Sequence, residues 1–163
     1  MVDNIQRNLS PSNYRLKIGR LPNTSFYTTQ VILPSIVTGI AQQQSNFVSI
    51  PWQGGKVSYS DLTLTVIADE DLTNYKELKD WIEGLNPTKT GQQYKNLKES
   101  LESLFSDMSL IVTNNNNNPN LNISFSRCFP LHLSNLVFTS QTDSNILTFT
   151  VGFAITNFDI QQA

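Results

Sequence analysis

The segment from Ser58 to Leu85, SYSDLTLTVIADEDLTNYKELKDWIEGL, constrains the fold more than any other part of the chain. Its first half alternates between apolar and polar residues, which is the period of a half-buried β-strand. The apolar positions are Leu62, Leu64, Val66 and Ala68, and the opposite face carries Asp61, Thr63 and Thr65. Because the second half changes to the helical period, we expect a strand that leads directly into an amphipathic helix.

The predicted helix extends from Thr73 to Leu85. Thr73 is the expected N-cap, and the acidic run from Asp69 to Asp71 lies where negative charge favours a helix N-terminus. One apolar stripe should pack on the core, formed by Tyr75, Leu78, Trp81, Ile82 and Leu85. The charged residues Lys76, Lys79, Asp80 and Glu83 should then face outward.

Most of the remaining chain also has the period of strands. Strands are predicted at 14–18, 26–33, 108–112, 121–126, 133–138 and 147–155. Turns are predicted at Pro22-Asn23, in the five asparagines before Pro119, where Asn tolerates the left-handed conformation, and around Asp143. The spacing in 92–107 predicts a second short helix. The expected fold is a mainly β, antiparallel sandwich or barrel-like domain with one flanking helix and this second helix.

A Gln-rich segment bounded by glycines runs from Gly39 to Gly55. It is long for a connection, and loops above about 12 to 15 residues are usually functional or disordered. Its hydrophobic residues have no evident partner, so we expect an extended hairpin arm, with the run from Phe47 to Ile50 in it, that contacts another subunit. The expected contact residues are Gln43, Gln44, Phe47, Ile50 and Trp52.

Composition excludes several classes of function. The 163 residues fit one domain. A net charge of −2 with scattered cations argues against tight binding to the phosphates of nucleic acid. The single Cys128 excludes an internal disulfide and a cysteine zinc cluster. Because no segment reads as a membrane span or a signal peptide, we expect a soluble protein made in a cytoplasm.

Catalytic chemistry has little support in the sequence. His132 is the only histidine, and we expect it in a loop with no adjacent nucleophile. The acidic run from Asp69 to Asp71 lacks the spacing of a calcium loop, and Gly54-Gly55-Lys56 lacks that of a phosphate loop and is predicted to be a tight turn. We therefore expect no enzyme activity, no metal and no cofactor.

Three more segments take part in a family resemblance: LPSIVTG (Leu33 to Gly39), IPWQGGKVSYSDLTLTV (Ile50 to Val66) and FPLHLSNLVFTSQTDSNILTFTVGFAI (Phe129 to Ile155). Together with Ser58 to Leu85, and in this order, they resemble the tail tube proteins of contractile-tailed bacteriophages of the T-even-like group. The resemblance covers most of the chain, and Gly84 to Met108 departs from the pattern.

The resemblance implies a single tail-tube-like domain over residues 1–163 that assembles with itself into stacked hexameric rings in a virion tail, built in the cytoplasm of the bacterial host. The arm at 39–55 would join successive rings. Implied partners are a sheath protein, a tape measure and baseplate or terminator proteins, while DNA transits the bore without specific binding. Hydroxyl-bearing strand faces suit such a bore, since a basic wall would hold phosphates. Candidate lumen residues are Thr63, Thr65, Thr148 and Thr150, with Ser124 and Ser126.

Two alternatives stay open at this point. One is a protein of the same family at a tube end, such as a baseplate-proximal initiator or a tail completion protein. The other is an unrelated β-sandwich binding module, in which the segment from Gly39 to Gly55 would be a ligand loop.

Overall fold

The computed structural model describes residues 9, 11–44, 47–85, 104–114, 116–140 and 146–162. These residues form nine strands and two helices. Their bounds are β1 (Tyr14–Ile18), α1 (Pro22–Phe26), β2 (Thr28–Ile32), β3 (Ile36–Gln44), β4 (Ser49–Tyr59), β5 (Leu62–Ile67), α2 (Thr73–Leu85), β6 (Ser106–Thr113), β7 (Pro119–Leu133), β8 (Thr148–Ala154) and β9 (Asn157–Gln162). The mainly β, antiparallel prediction is confirmed.

Strand β7 belongs to two antiparallel sheets. Its first half lies between β6 and β9, and β1 pairs with β6, so sheet I has the order β1-β6-β7-β9. Its second half pairs with β8, which gives sheet II the order β7-β8-β5-β2. Strands β3 and β4 form a separate two-stranded sheet.

The change of sheet within β7 occurs at a bulge centred on Arg127. Arg127 has a positive φ of 53°, which is uncommon for a residue other than glycine. Its backbone N–H donates to Oδ1 of Asp107 across the bulge at 2.8 Å, and its guanidinium lies 4.7 Å from the ring centroid of Phe105. The paired strand therefore supplies the hydrogen-bond acceptor that a regular ladder would have provided.

Residues from both sheets and α2 form one hydrophobic core. Alternation places every second residue of β5 and β8 in it, as the sequence predicts. The buried hydrophobic residues are Leu16, Ile18, Leu21, Leu62, Leu64, Val66, Leu78, Trp81, Met108, Leu110, Val112, Ile123, Phe125, Cys128, Phe149, Val151 and Phe153. Helix α2 contributes through Tyr75, whose ring lies 5.3 Å from Phe149, and Trp81, 6.1 Å from Phe153.

Helix α2 has the predicted bounds, but its N-terminus is built differently from the expectation. Thr73 is the first helical residue rather than the N-cap, because the carbonyl of Leu72 accepts the N–H of Lys76. Asn74 is fully buried, and its side-chain amide donates to the carbonyl of Ile67 at 2.7 Å. This hydrogen bond ties the end of β5 to the start of the helix.

Three local predictions are wrong. Pro22 and Asn23 begin the short helix α1 instead of a turn, since proline at the first helical position has a suitable φ and needs no N–H partner. Gly54-Gly55-Lys56 lies inside β4 rather than in a tight turn. His132 lies in β7 rather than in a loop.

The predicted strand at 133–138 is also wrong beyond its first residue. Strand β7 ends at Leu133, and the segment that follows has no regular structure. There Ser134 replaces strand pairing, because its hydroxyl accepts the N–H of Thr150 and its N–H donates to the Thr150 carbonyl. The predicted turn around Asp143 and most of the predicted helix at 92–107 lie outside the described residues.

The asparagine run forms the predicted turn between β6 and β7. Oδ1 of Asn114 accepts the N–H groups of Asn116 and Asn118 at 2.9 and 3.1 Å. Asn117 adopts the left-handed conformation with a φ of 59°, which confirms the reason given for asparagine here.

Candidate assembly surfaces

The hairpin of β3 and β4 is the most exposed part of the described chain. Every residue of β3 is exposed, and β4 is exposed except at Gly54 and Tyr59, which are half-buried. Neither strand pairs with a strand of sheet I or sheet II in the described residues. A two-stranded hairpin is at best marginally stable alone in water, so this element depends on further contacts.

Large apolar side chains cover the hairpin. Phe47 is 94% exposed, Ile40 70% and Trp52 60%. The other exposed hydrophobic residues of the element are Ile36, Val37, Val48, Ile50 and Val57. Because monomeric soluble proteins rarely expose a contiguous apolar surface of this kind, the hairpin has the composition of a protein interface.

The root of the hairpin is attached to the sandwich. The Tyr59 ring lies 5.5 Å from the ring of Phe158 in β9, and its hydroxyl donates to Oδ1 of Asn157 at 3.2 Å. Ser35 and Ser60 lie just before β3 and just after β4. The Ser35 N–H donates to the Ser60 hydroxyl at 2.8 Å, and the Ser60 N–H donates to the Ser35 carbonyl at 3.0 Å. The distal part of the hairpin therefore projects from a fixed base.

The five predicted contact residues all lie on this hairpin and all are exposed. Gln43 and Gln44 end β3, Phe47 lies in the turn, and Ile50 and Trp52 lie in β4. The predicted hairpin arm at 39–55 is the distal part of a longer hairpin of paired strands that spans 36–59.

Within its strands, sheet II has no Asp, Glu, Lys or Arg on the outer surface, which we call the hydroxyl face. It contains Gln30, Ile32, Thr63, Thr65, Ile67, Thr148, Thr150 and Gly152, with the ring of His132 beside Gly152. Thr65 lies opposite Thr150, and its hydroxyl donates to Oε1 of Gln30 at 3.4 Å. The four predicted lumen threonines thus lie on one surface, whereas Ser124 and Ser126 lie on sheet I.

Helix α2 has a buried and an exposed side. Leu78 and Trp81 are buried, and Tyr75 and Ile82 are half-buried. The exposed side carries Lys76, Lys79 and Asp80, while Glu83 is half-buried and forms an ion pair of 3.0 Å with Lys79. Arg20 covers Trp81, with its guanidinium 4.7 Å from the ring, and partial burial lowers the pKa of Arg20.

The described residues offer little for catalysis. Burial raises the pKa of Cys128 to about 12, so its thiol stays protonated near neutral pH and lacks the thiolate of a nucleophile. In the described ranges, no three His, Cys, Asp or Glu side chains form a group that could hold a metal ion. Of the helices described, none is long and apolar enough to cross a membrane.

Sequence reasoning missed several residues that shape these surfaces. The Asp107 carboxylate accepts the backbone N–H of Arg127, and the Asn74 amide donates to the backbone carbonyl of Ile67. Such hydrogen bonds between side chain and backbone leave no periodic signal in the sequence. Strand β9 was not predicted because it is exposed at nearly every position. A signal for it did exist in the alternation of Phe158 and Ile160 with polar neighbours.

The exposed apolar hairpin is typical of a subunit that associates with other subunits. The family model for phage tail tube proteins matches residues 9–161. The chain therefore belongs to the phage tail tube protein family, which confirms the resemblance in the sequence. No curated protein sequence matches the chain.

Solved structures share the fold at low sequence identity. A chain of the anti-feeding prophage tube-terminating cap is 14% identical with a TM-score of 0.69, and the match covers 98% of this chain and 94% of that one. A chain of the extended PVC sheath–tube complex, an extracellular contractile injection system, is 14% identical with a TM-score of 0.67, covering 98% and 95%. A chain of the PVC sheath/tube terminator is 14% identical with a TM-score of 0.69, covering 96% and 99%.

Proposed function

We propose that the chain is a structural subunit of an inner tail tube, in which hexameric rings stack and DNA passes through the bore. The observation that carries this proposal is the exposed β3–β4 hairpin in a member of the tail tube family. Its apolar surface has no partner in the described chain, and contacts with a neighbouring ring would supply one. The activity is mechanical, and no bond is made or broken.

Deletion of residues 43–53 tests the role of the hairpin. The variant should fold, because every described residue removed is exposed. It should form rings that do not elongate, whereas the wild-type protein forms tubes in negative-stain electron microscopy. A variant with Asp80→Ala on the exposed side of α2 is the control and should elongate normally. Normal tubes from the deletion variant would contradict the inter-ring assignment.

The same images distinguish a tube subunit from a tube-end protein of the family. A tube subunit stacks on both faces of its ring and gives tubes that lengthen with protein concentration. An initiator or completion protein stacks on one face and gives isolated or paired rings. Family membership replaces the earlier alternative of an unrelated binding module.

We place the hydroxyl face on the bore, because its uncharged surface would let DNA slide without counterion release. Thr63→Lys should permit assembly, since a side chain in a water-filled bore keeps its hydration, and it should slow DNA release from complete particles. Thr63→Ser is the matched control. A variant that assembles and releases DNA at the normal rate, or a tube with Thr63 on its outer surface, would contradict this placement.

The remaining partners follow from the same role. The exposed charges of α2 would face a surrounding sheath protein, and a tape measure and baseplate or terminator proteins would be the other partners. Assembly would take place in the cytoplasm of the bacterial host. Binding of sheath protein to tubes that carry Lys76→Glu tests the first of these contacts, and unchanged binding would contradict it.

A further inference from the structure

The chain has a single histidine, His132, and its side chain lies on the hydroxyl face. The register between β7 and β8 places His132 opposite Gly152. A Cβ at position 152 would collide with Cε1 and Nδ1 of the imidazole, so the ring lies directly over the glycine. The missing side chain of Gly152 therefore provides the space that the imidazole occupies.

The imidazole reaches beyond the strand that carries it. Strand β8 lies between β7 and β5, and Gly152 is paired with His132 on one side and with Thr63 on the other. Because the ring lies over Gly152, it extends from β7, an edge strand of sheet II, toward the middle of the hydroxyl face. His132 and the threonines of that face thus form one surface.

The imidazole is open to solvent and has no partner in the described chain. His132 is exposed, and its ring forms no hydrogen bond with a described residue. Within the described ranges the ring has no ion pair either. The imidazole therefore keeps its hydrogen-bonding capacity for a ligand that lies over the hydroxyl face.

Few charged groups lie near this imidazole. The parts of β2, β5, β7 and β8 that form sheet II contain no Asp, Glu, Lys or Arg. By the alternation of β5, Asp61 and Asp69 flank the hydroxyl face just beyond its two ends. The nearest cation along β7 is Arg127, whose guanidinium lies on an aromatic ring, 4.7 Å from its centroid. Helix α2 packs on the opposite side of the sheet. The charge of the hydroxyl face within these strands therefore depends on His132.

From this placement we infer that protonated His132 binds the phosphates of DNA in the bore, so that the tube holds DNA at mildly acidic pH and lets it slide at higher pH. This inference rests on the proposed function and on the hydroxyl face as the wall of the bore. Histidine is the side chain that changes its charge between about pH 8 and about pH 5. An imidazolium ion donates charge-assisted hydrogen bonds to phosphate, whereas the hydroxyl groups of the face carry no charge. One such cation per subunit would repeat around every ring.

Binding of a short fluorescent DNA duplex to purified tubes tests the inference at about pH 8 and about pH 5.5. Wild-type tubes should bind the duplex at least about tenfold more tightly at the lower pH, and salt should weaken this binding, because phosphate contacts release counterions. His132→Gln keeps a neutral polar side chain and should bind equally weakly at both pH values. His132→Lys carries a permanent charge and should bind tightly at both, and weak binding by this variant would overturn the inference.

Two double variants locate the binding surface. In the His132→Gln background, Thr63→His places an imidazole on the neighbouring position of the hydroxyl face and should restore the pH dependence. Ser126→His in the same background places an imidazole on the exposed surface of sheet I and should not restore it. Restoration by Ser126→His alone of the two would overturn the assignment to the hydroxyl face.

Negative-stain electron microscopy and circular dichroism at both pH values separate this inference from the proposed function. All variants should fold and form tubes, since none of the three substituted positions belongs to the hydrophobic core. The same pH dependence in wild-type and His132→Gln tubes, or its absence from wild-type tubes, would overturn the role of His132 and leave the tube role intact. Wild-type protein that forms no tubes would overturn both.

Discussion

The strand pairs β5–β8 and β3–β4 are both antiparallel and both rich in apolar residues, but only the first has a buried face. In β5, buried residues alternate with half-buried ones, whereas every residue of β3 is exposed. Each buried hydrophobic side chain stabilises the fold by about 1.5 to 3 kcal/mol. None of the described residues of the hairpin is buried, so its apolar side chains remain available for contact with another surface.

The largest effect on the free energy of unfolding is expected in the hydrophobic core. Leu78→Ala should lower the free energy of unfolding by about 2 to 5 kcal/mol, because it leaves a cavity beside fully buried neighbours. Urea denaturation of the monomer measures the loss. Asp80→Ala on the exposed side of the same helix should change stability by less than about 0.5 kcal/mol. A small effect of Leu78→Ala would mean that α2 does not pack on its own subunit.

A smaller effect is expected where the hairpin strands approach most closely. A Cβ on Gly54 would collide with the backbone of Gly39, so Gly54→Ala should strain the hairpin by about 1 to 3 kcal/mol. Gly55→Ala is the matched control, since a Cβ there meets open space. Hydrogen exchange should show lost protection in β3 and β4 for the first variant only. Equal protection in the two variants would contradict the close approach.

The smallest effect on stability is expected at the hairpin surface. Trp52→Ala should change the free energy of unfolding of the monomer by less than about 0.5 kcal/mol, because Trp52 is mostly exposed. The same variant should raise the concentration at which tubes form. Denaturation and light scattering on one preparation measure both quantities. A clear loss of monomer stability would show that Trp52 packs within its own subunit.

The comparison also explains which parts of the fold could be predicted from sequence. Strands β5 and β8 and helix α2 were predictable because one face of each is buried, and burial imposes a period of two or of about 3.6 residues. Helix α1 is too short to show a period. The segment after Leu133 has the residue types of a strand, but the Ser134 hydroxyl takes the place of a strand partner.

The candidate surfaces were predictable to different degrees. Hydrophobic residues in a Gln-rich segment indicated the hairpin tip, since they had no evident partner in the sandwich. The sequence could not place the His132 ring over Gly152, because that contact depends on the register between two strands. The bulges at Thr29 and Leu131 likewise depend on pairing across strands that are distant in the chain.

The course of β7 through both sheets has a mechanical consequence. Pairing with β6 in sheet I extends to Cys128, pairing with β8 in sheet II begins at Phe129, and Arg127 has its left-handed conformation just before this change. A tensile load applied to one sheet therefore reaches the other along covalent bonds as well as through side-chain packing. Shear between the two layers must deform the bulge that Asp107 holds in place. The backbone of β7 thus resists sliding of one sheet over the other.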